Sequence, residues 1–228
     1  SYKNSNYIDY GKIDGEKVND IIKKIISSDR ITKMYNINKS TNLINDILSC
    51  LNRYDVLIDI AGFFVGITDK EFIYEYYKLN GDKTKRYFYY FDNGVNIYDS
   101  LTNSFINDYE NSNKDPNTFF YFSNKYITGV DAKKYMNIHA HGLVTISSNT
   151  NLRDFSQGIF RMRNIHNSQT IDLIINNKMH LLNQNLYYLE LITDDDEEKT
   201  CNNFMHKKIN RKTLIDILEI NQRKYDNI

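Results

Sequence analysis

One proline and nine glycines in 228 residues leave no room for a collagen-like, proline-rich or glycine-rich architecture. Cysteine is almost as scarce. Cys50 and Cys201 stand far apart, in neither CxxC nor Cys/His spacing, which excludes a disulfide scaffold and a cysteine-based zinc site. A reducing, intracellular compartment, cytoplasmic or nuclear, is therefore expected. No apolar run is long enough to cross a bilayer, and the opening SYKNSNYIDYGK has no signal-peptide character. Net charge is missing too. With 29 basic and 29 acidic side chains there is no global electrostatic footprint for nucleic acid or an anionic membrane, so any contact with nucleic acid has to be local. Tryptophan is absent, while 19 tyrosines and 12 phenylalanines accompany an excess of Asn, Lys and Ile. An AT-rich coding sequence produces that skew, so aromatic richness alone is no sign of base stacking. Beginning at Ser1, the chain reads as a piece of a longer polypeptide, and the remainder of that polypeptide is the first partner to expect.

What is present is enough to fold. Apolar residues make up 41% and charged residues 25%, ordinary values for a globular chain. Helical spacing of apolar residues predicts helices over 15–28, 41–52 and 69–79, and a C-terminal one carrying Leu214, Ile217, Leu218 and Ile220. Short apolar runs predict buried strands at DVLIDI (55–60), TFFYFS (118–123), LVTIS (143–147) and TIDLII (170–175). TKRYFYYFD, the Asn93-Gly94 turn and VNIYD add a hairpin or a tight turn into a short strand. Residues 101–117 read as a surface loop. Strands alternating with helices imply a three-layer α/β domain with a mainly parallel sheet. The expected division is an N-terminal helical extension over 1–53, the α/β core over 54–176, and a C-terminal extension over 177–228 with an acidic loop, Asp194 to Glu198, and a helix.

Two motifs carry the candidate chemistry. LRDFSQGIFRMR, read as a helix over 152–163, puts Leu152, Phe155, Ile159 and Met162 on one side and Arg153, Gln157 and Arg161 on the other. Guanidinium forks around an amide suit phosphate or carboxylate recognition, and a solvated face is the competing reading. The loop after TFFYFS holds Thr128, Gly129 and Asp131, at the strand ends where open α/β sheets bind ligands. Both motifs are expected at the same sheet edge. The glycines at 62 and 66 do not form a phosphate loop, because no Lys-Ser or Lys-Thr follows them.

The order of strand, T-G-x-D loop, strand, Q-x-x-x-R-x-R helix and strand resembles the C-terminal RecA-like lobe of superfamily 2 helicases. More closely, LIDIAGFFVGITDKE, FFYFSNKYITGVDAK, LVTISSNTNLRDFSQGIFRMRN and NSQTIDLII resemble the helicase-like end of a family of very large eukaryotic and viral proteins labelled ubiquitinyl-hydrolase-like. The likeness spans residues 55–175. It implies a RecA-like core, with Thr128, Gly129, Asp131, Gln157, Arg161 and Arg163 facing nucleotide phosphates. Three departures stand out: Asn164 occupies the position of the last helicase arginine, Phe160 that of the glycine before the first, and the acidic-His dipeptide that precedes the T-G-x-D loop in the larger family is replaced by NKYI, Asn124 to Ile127. Lacking a phosphate loop and an acidic magnesium-binding strand end, the chain alone is not expected to hydrolyse ATP. ATP and magnesium enter only with a partner lobe.

The same likeness implies an alternative, a cysteine protease acting on ubiquitin. Cys50 would be its nucleophile and His139 or His141 its base, although a helix C-terminus opposes a thiolate. A packed thiol and a loop histidine are the competing readings. His139 and His141 alternate, so they do not make joint metal ligands, and no metal site is expected. A third alternative is a degenerate lobe serving as a binding scaffold.

Overall fold

The computed structural model describes residues 15–36, 43–80, 85–106, 117–129, 136–176 and 211–227. Asp131, Lys133, Lys134, Cys201, His180, His206, the single proline and the acidic run lie outside them.

Five helices and eight strands are found among the described residues: α1 (Gly15–Ser27), β1 (Ile31–Asn36), α2 (Leu43–Cys50), β2 (Val56–Asp59), α3 (Asp69–Asn80), β3 (Tyr87–Phe91), β4 (Val95–Asp99), β5 (Ser104–Ile106), β6 (Thr118–Phe122), β7 (His141–Ser147), α4 (Leu152–Ile159), β8 (Thr170–Asn176) and α5 (Arg211–Asp226). All eight strands join one sheet in the order β1-β8-β7-β2-β6-β3-β4-β5. The first six in that order run parallel, and β3-β4-β5 is an antiparallel meander at one edge.

Side-chain alternation divides the core between the two faces of this sheet. Leu57 of β2 and Tyr121 of β6 turn to one face, where Ile47 and Leu48 of α2 and Phe72, Ile73 and Tyr76 of α3 cover them. Val56, Ile58, Phe120 and Phe122 turn to the other, under Ile22, Ile25 and Ile26 of α1, Phe155 and Ile159 of α4, and Leu214 and Leu218 of α5. The architecture is the three-layer α/β domain with a mainly parallel sheet that a RecA-like fold has. YFYYF is core rather than a stacking surface: Phe88 through Phe91 are buried.

Residues 1–53 are more than a helical extension. ITKMYN forms β1 and pairs with β8 from Ile31 to Asn36, so the N-terminal part supplies the edge strand of the same sheet. Its alternation is interrupted by a register shift between Ile31 and Lys33, which is why the sequence gives little period-two signal there. In the stretch expected to be all loop, Ser104–Ile106 forms β5 against β4.

Candidate functional site

The carboxyl ends of the parallel strands are where the chain reverses its direction of winding. From β2 it crosses through α3 toward β3, and from β7 it crosses on the opposite face through α4 toward β8. Because β2 and β7 are neighbours, the crevice expected of an open α/β sheet lies between their ends. Asp59, the last residue of β2, occupies it. Its carboxylate is buried and accepts hydrogen bonds from Thr145 Oγ1 of β7 at 2.6 Å and from the backbone N–H groups of Phe63 and Phe64, both at 3.0 Å. Burial pushes the carboxyl above its ordinary pKa, and these bonds act in the other direction. Gly62, at φ +69°, lets the loop curl back over the carboxylate. The loop therefore resembles an anion nest whose anion is the protein's own side chain, which removes the amides a phosphate would need.

Around this centre β6 contributes the next group. Asn124 donates from Nδ2 to the Ile60 carbonyl at 2.8 Å, and Ser123 Oγ donates to Asp69 Oδ2 at 2.8 Å. Asp69 opens α3 just after Thr68, whose hydroxyl and backbone form a reciprocal capping pair with Glu71. Desolvation raises the Asp69 carboxyl to about 6, against the Ser123 bond and the charge of Lys125, with Asp92 and Asp59 adding repulsion. Thr128 and Gly129 follow on the same rim, exposed, with Gly129 at φ +80°. Asp131 lies beyond the described residues.

The second motif starts at this rim and leaves it. Asn151 caps α4, its side chain accepting from the Asp154 N–H at 2.8 Å. Gln222 of α5 accepts from the Arg153 N–H at 3.1 Å. The helix ends at Ile159 rather than running to Arg163, and a chain of turns follows. Met162 packs against Gly142, the second residue of β7, and Gln169 ties residues 164–169 to Asn137 in the turn before that strand. Arg161 and Arg163 thus flank Met162, which lies beside the amino end of β7. The structure does not bring the two motifs to one sheet edge; Gln157 is half-buried on the flank between them. Eight helical residues are too few to hold a twelve-residue stripe together, and no spacing rule reveals where the helix stops.

The residues of the alternative reading lie elsewhere. Cys50 is 1% exposed in an apolar cluster, and its thiol donates to the Ile47 carbonyl at 3.1 Å. His139 is exposed in a turn. His141 starts β7, with its ring stacked on Tyr54 at 5.0 Å, Nδ1 2.8 Å from Thr170 Oγ1 and Nε2 3.5 Å from Asp172 Oδ2. Asp172, inside β8, also accepts from Tyr54 Oη at 2.7 Å and from Thr32 of β1. Burial opposes its ionisation, but the bonds from His141, Thr32 and Tyr54 prevail and hold it below the usual carboxylate range. The same burial and the neighbouring Asp172 push the Tyr54 hydroxyl upward, keeping it a donor.

Sequence reasoning passed over Asp59, Asp69, Thr145 and Asp172. An acid inside an apolar strand, as in LIDI and TIDLII, is the signal that singles out two of them. Among the described residues no group of three or more His, Cys, Asp or Glu side chains is placed to hold a metal, and no helix is long and apolar enough to cross a membrane. Comparison with protein-family models, curated proteins and solved structures returns no match.

Proposed function

We propose that the domain is a helicase-C-like RecA lobe of a larger protein, working as one half of a nucleotide site that a second lobe completes. The observation that carries this reading is α4: it leaves the switch-point strand β7 with its apolar side on the sheet, keeping Gln157, Arg161 and Arg163 partly exposed along its outer flank and following turn. The partner lobe would then approach along that flank, and its ATP and magnesium would meet the two guanidinium groups there. The loop after β2 spends its amides on Asp59, so the nucleotide is held mainly by the partner.

The cysteine-hydrolase reading is the weaker one, because a thiol 1% exposed in an apolar cluster is out of reach of a polypeptide substrate. A degenerate lobe acting as a scaffold shares the fold and differs only in lacking the arginine contribution. The test is ATP hydrolysis by the chain extended to include its second lobe. Arg161→Ala is expected to lower the rate by about 10²-fold or more without unfolding the protein. An unchanged rate in that variant would sink the lobe reading, and covalent labelling of Cys50 by a ubiquitin-based activity probe would replace it with the hydrolase.

A further inference from the structure

At the amino ends of the parallel strands, away from Asp59 at their carboxyl ends, neighbouring strands assemble a second polar group. His141 opens β7 and pairs with Thr170, the first residue of β8. Thr170 Oγ1 lies 2.8 Å from His141 Nδ1, and Asp172 Oδ2 lies 3.5 Å from Nε2. Tyr54 stacks on the imidazole at 5.0 Å and donates to Asp172, whose other oxygen accepts from Thr32. An ionised carboxylate only accepts, so Nε2 carries the imidazole proton, Nδ1 is left as an acceptor, and the Thr170 hydroxyl donates to it. Burial grades the three groups: Asp172 is 3% exposed, whereas the His141 side chain is 31% exposed and Thr170 is half-buried. We infer that they form an acyl-transfer site, with Thr170 as nucleophile, His141 as its base and Asp172 as the group that holds the base.

The hydroxyl stands at the open end and the carboxylate at the closed one, the order that nucleophilic acyl transfer requires. Thr170 Oγ1 attacks the carbonyl carbon of an ester while its proton passes to Nδ1, and Asp172 steadies the imidazolium through Nε2–H. The ester C–O bond then breaks, His141 returns the proton to the departing alcohol, and the acyl group stays on Thr170. Water repeats the path: His141 takes its proton and passes it to Thr170 Oγ1 as the acyl bond breaks, and the carboxylic acid leaves. No lysine or arginine is among the side-chain contacts of Thr170, His141 or Asp172 among the described residues, so a phosphate finds no counter-charge in them. Ile138, 58% exposed, is tied by its carbonyl to Ser168, two residues before Thr170. A small uncharged acyl ester is the substrate class that this rim fits.

Treating the chain with p-nitrophenyl acetate, quenching in acid and mapping peptides by mass spectrometry reads the acyl-threonine directly. An acetyl group is expected at Thr170, kept at that position in Thr170→Ser and formed on the order of 10²-fold more slowly in His141→Gln. Thr170→Val keeps the shape of the side chain and should remove the His141-dependent ester hydrolysis while circular dichroism stays the same. Because His141→Gln also takes a ring away from Tyr54, nitrogen NMR of the unaltered chain supplies a second reading. His141 is expected as the Nε2–H tautomer, and Asp172→Asn is expected to lose that preference. The proposal is overturned by a Thr170 that stays unacetylated, by one acetylated as fast in folded His141→Gln, or by His141 found as the Nδ1–H tautomer. Nucleotide does not enter these measurements, so they fail or succeed independently of the lobe reading.

Discussion

Asp172 sits within β8 with donors from three directions: Thr32 on one edge, Tyr54 from the segment before β2, and His141 on β7. No lysine or arginine neutralises it among these contacts, so the carboxylate depends for its charge on these hydrogen bonds and on its neighbour His141. Its stabilising effect has a definite sign. A folded-state pKa below the unfolded one means the contribution is fully present above the unfolded value, near 4, and is lost as pH falls through the folded value. Asp172→Asn turns an acceptor into a donor facing donors, and we expect it to cost about 2–4 kcal/mol at neutral pH, measured by urea denaturation. The gap between parent and variant should narrow as pH drops below about 4. A gap that stays constant down the acid range would show that the carboxylate is not ionised in the fold. Asp69 has the opposite sign: its raised carboxyl favours the folded state increasingly as pH falls from about 6 toward its unfolded value.

At the scale of the element, α4 shows how a short helix is made to lie in one place. Its apolar stripe was legible in Leu152, Phe155 and Ile159. Gly158 was not. A Cβ at that position would come 2.4 Å from Ile60 Cδ1 and 2.7 Å from Ile60 Cγ1, so the glycine is there to let the helix press on the end of β2. Gly158→Ala gains about 1 kcal/mol of helix propensity but overpacks the contact by about 1–3 kcal/mol, and a net loss of stability is expected. Adding Ile60→Val removes the Cδ1 methyl but keeps a γ carbon at the second close approach, so it should return part of that loss. Thermal unfolding of the two single variants and the double variant measures the coupling, and simple additivity would refute the close approach as its cause.

For the whole molecule, the sheet depends on the N-terminal part as much as on the core. Without β1, the outer side of β8 becomes an unpaired edge, and the sites of Ile22, Ile25 and Ile26 are uncovered on the face that α4 and α5 share. A chain starting at residue 37 is therefore expected to self-associate or lose its cooperative transition, read by gel filtration and circular dichroism. A monomeric truncation with unchanged unfolding would mean that β1 is only an appendage. The sequence by itself determined the layers: period-two and continuous apolar runs fix which segments are strands, helical spacing fixes the covering helices, and both depend on neighbours along the chain. Tertiary structure decided the rest. Asp59 meets Thr145 across 86 positions and Asp172 meets Thr32 across 140, and which edge Arg161 reaches depends on where α4 stops against Gly142. These contacts depend on the order in which strands assemble, and no local pattern encodes that order.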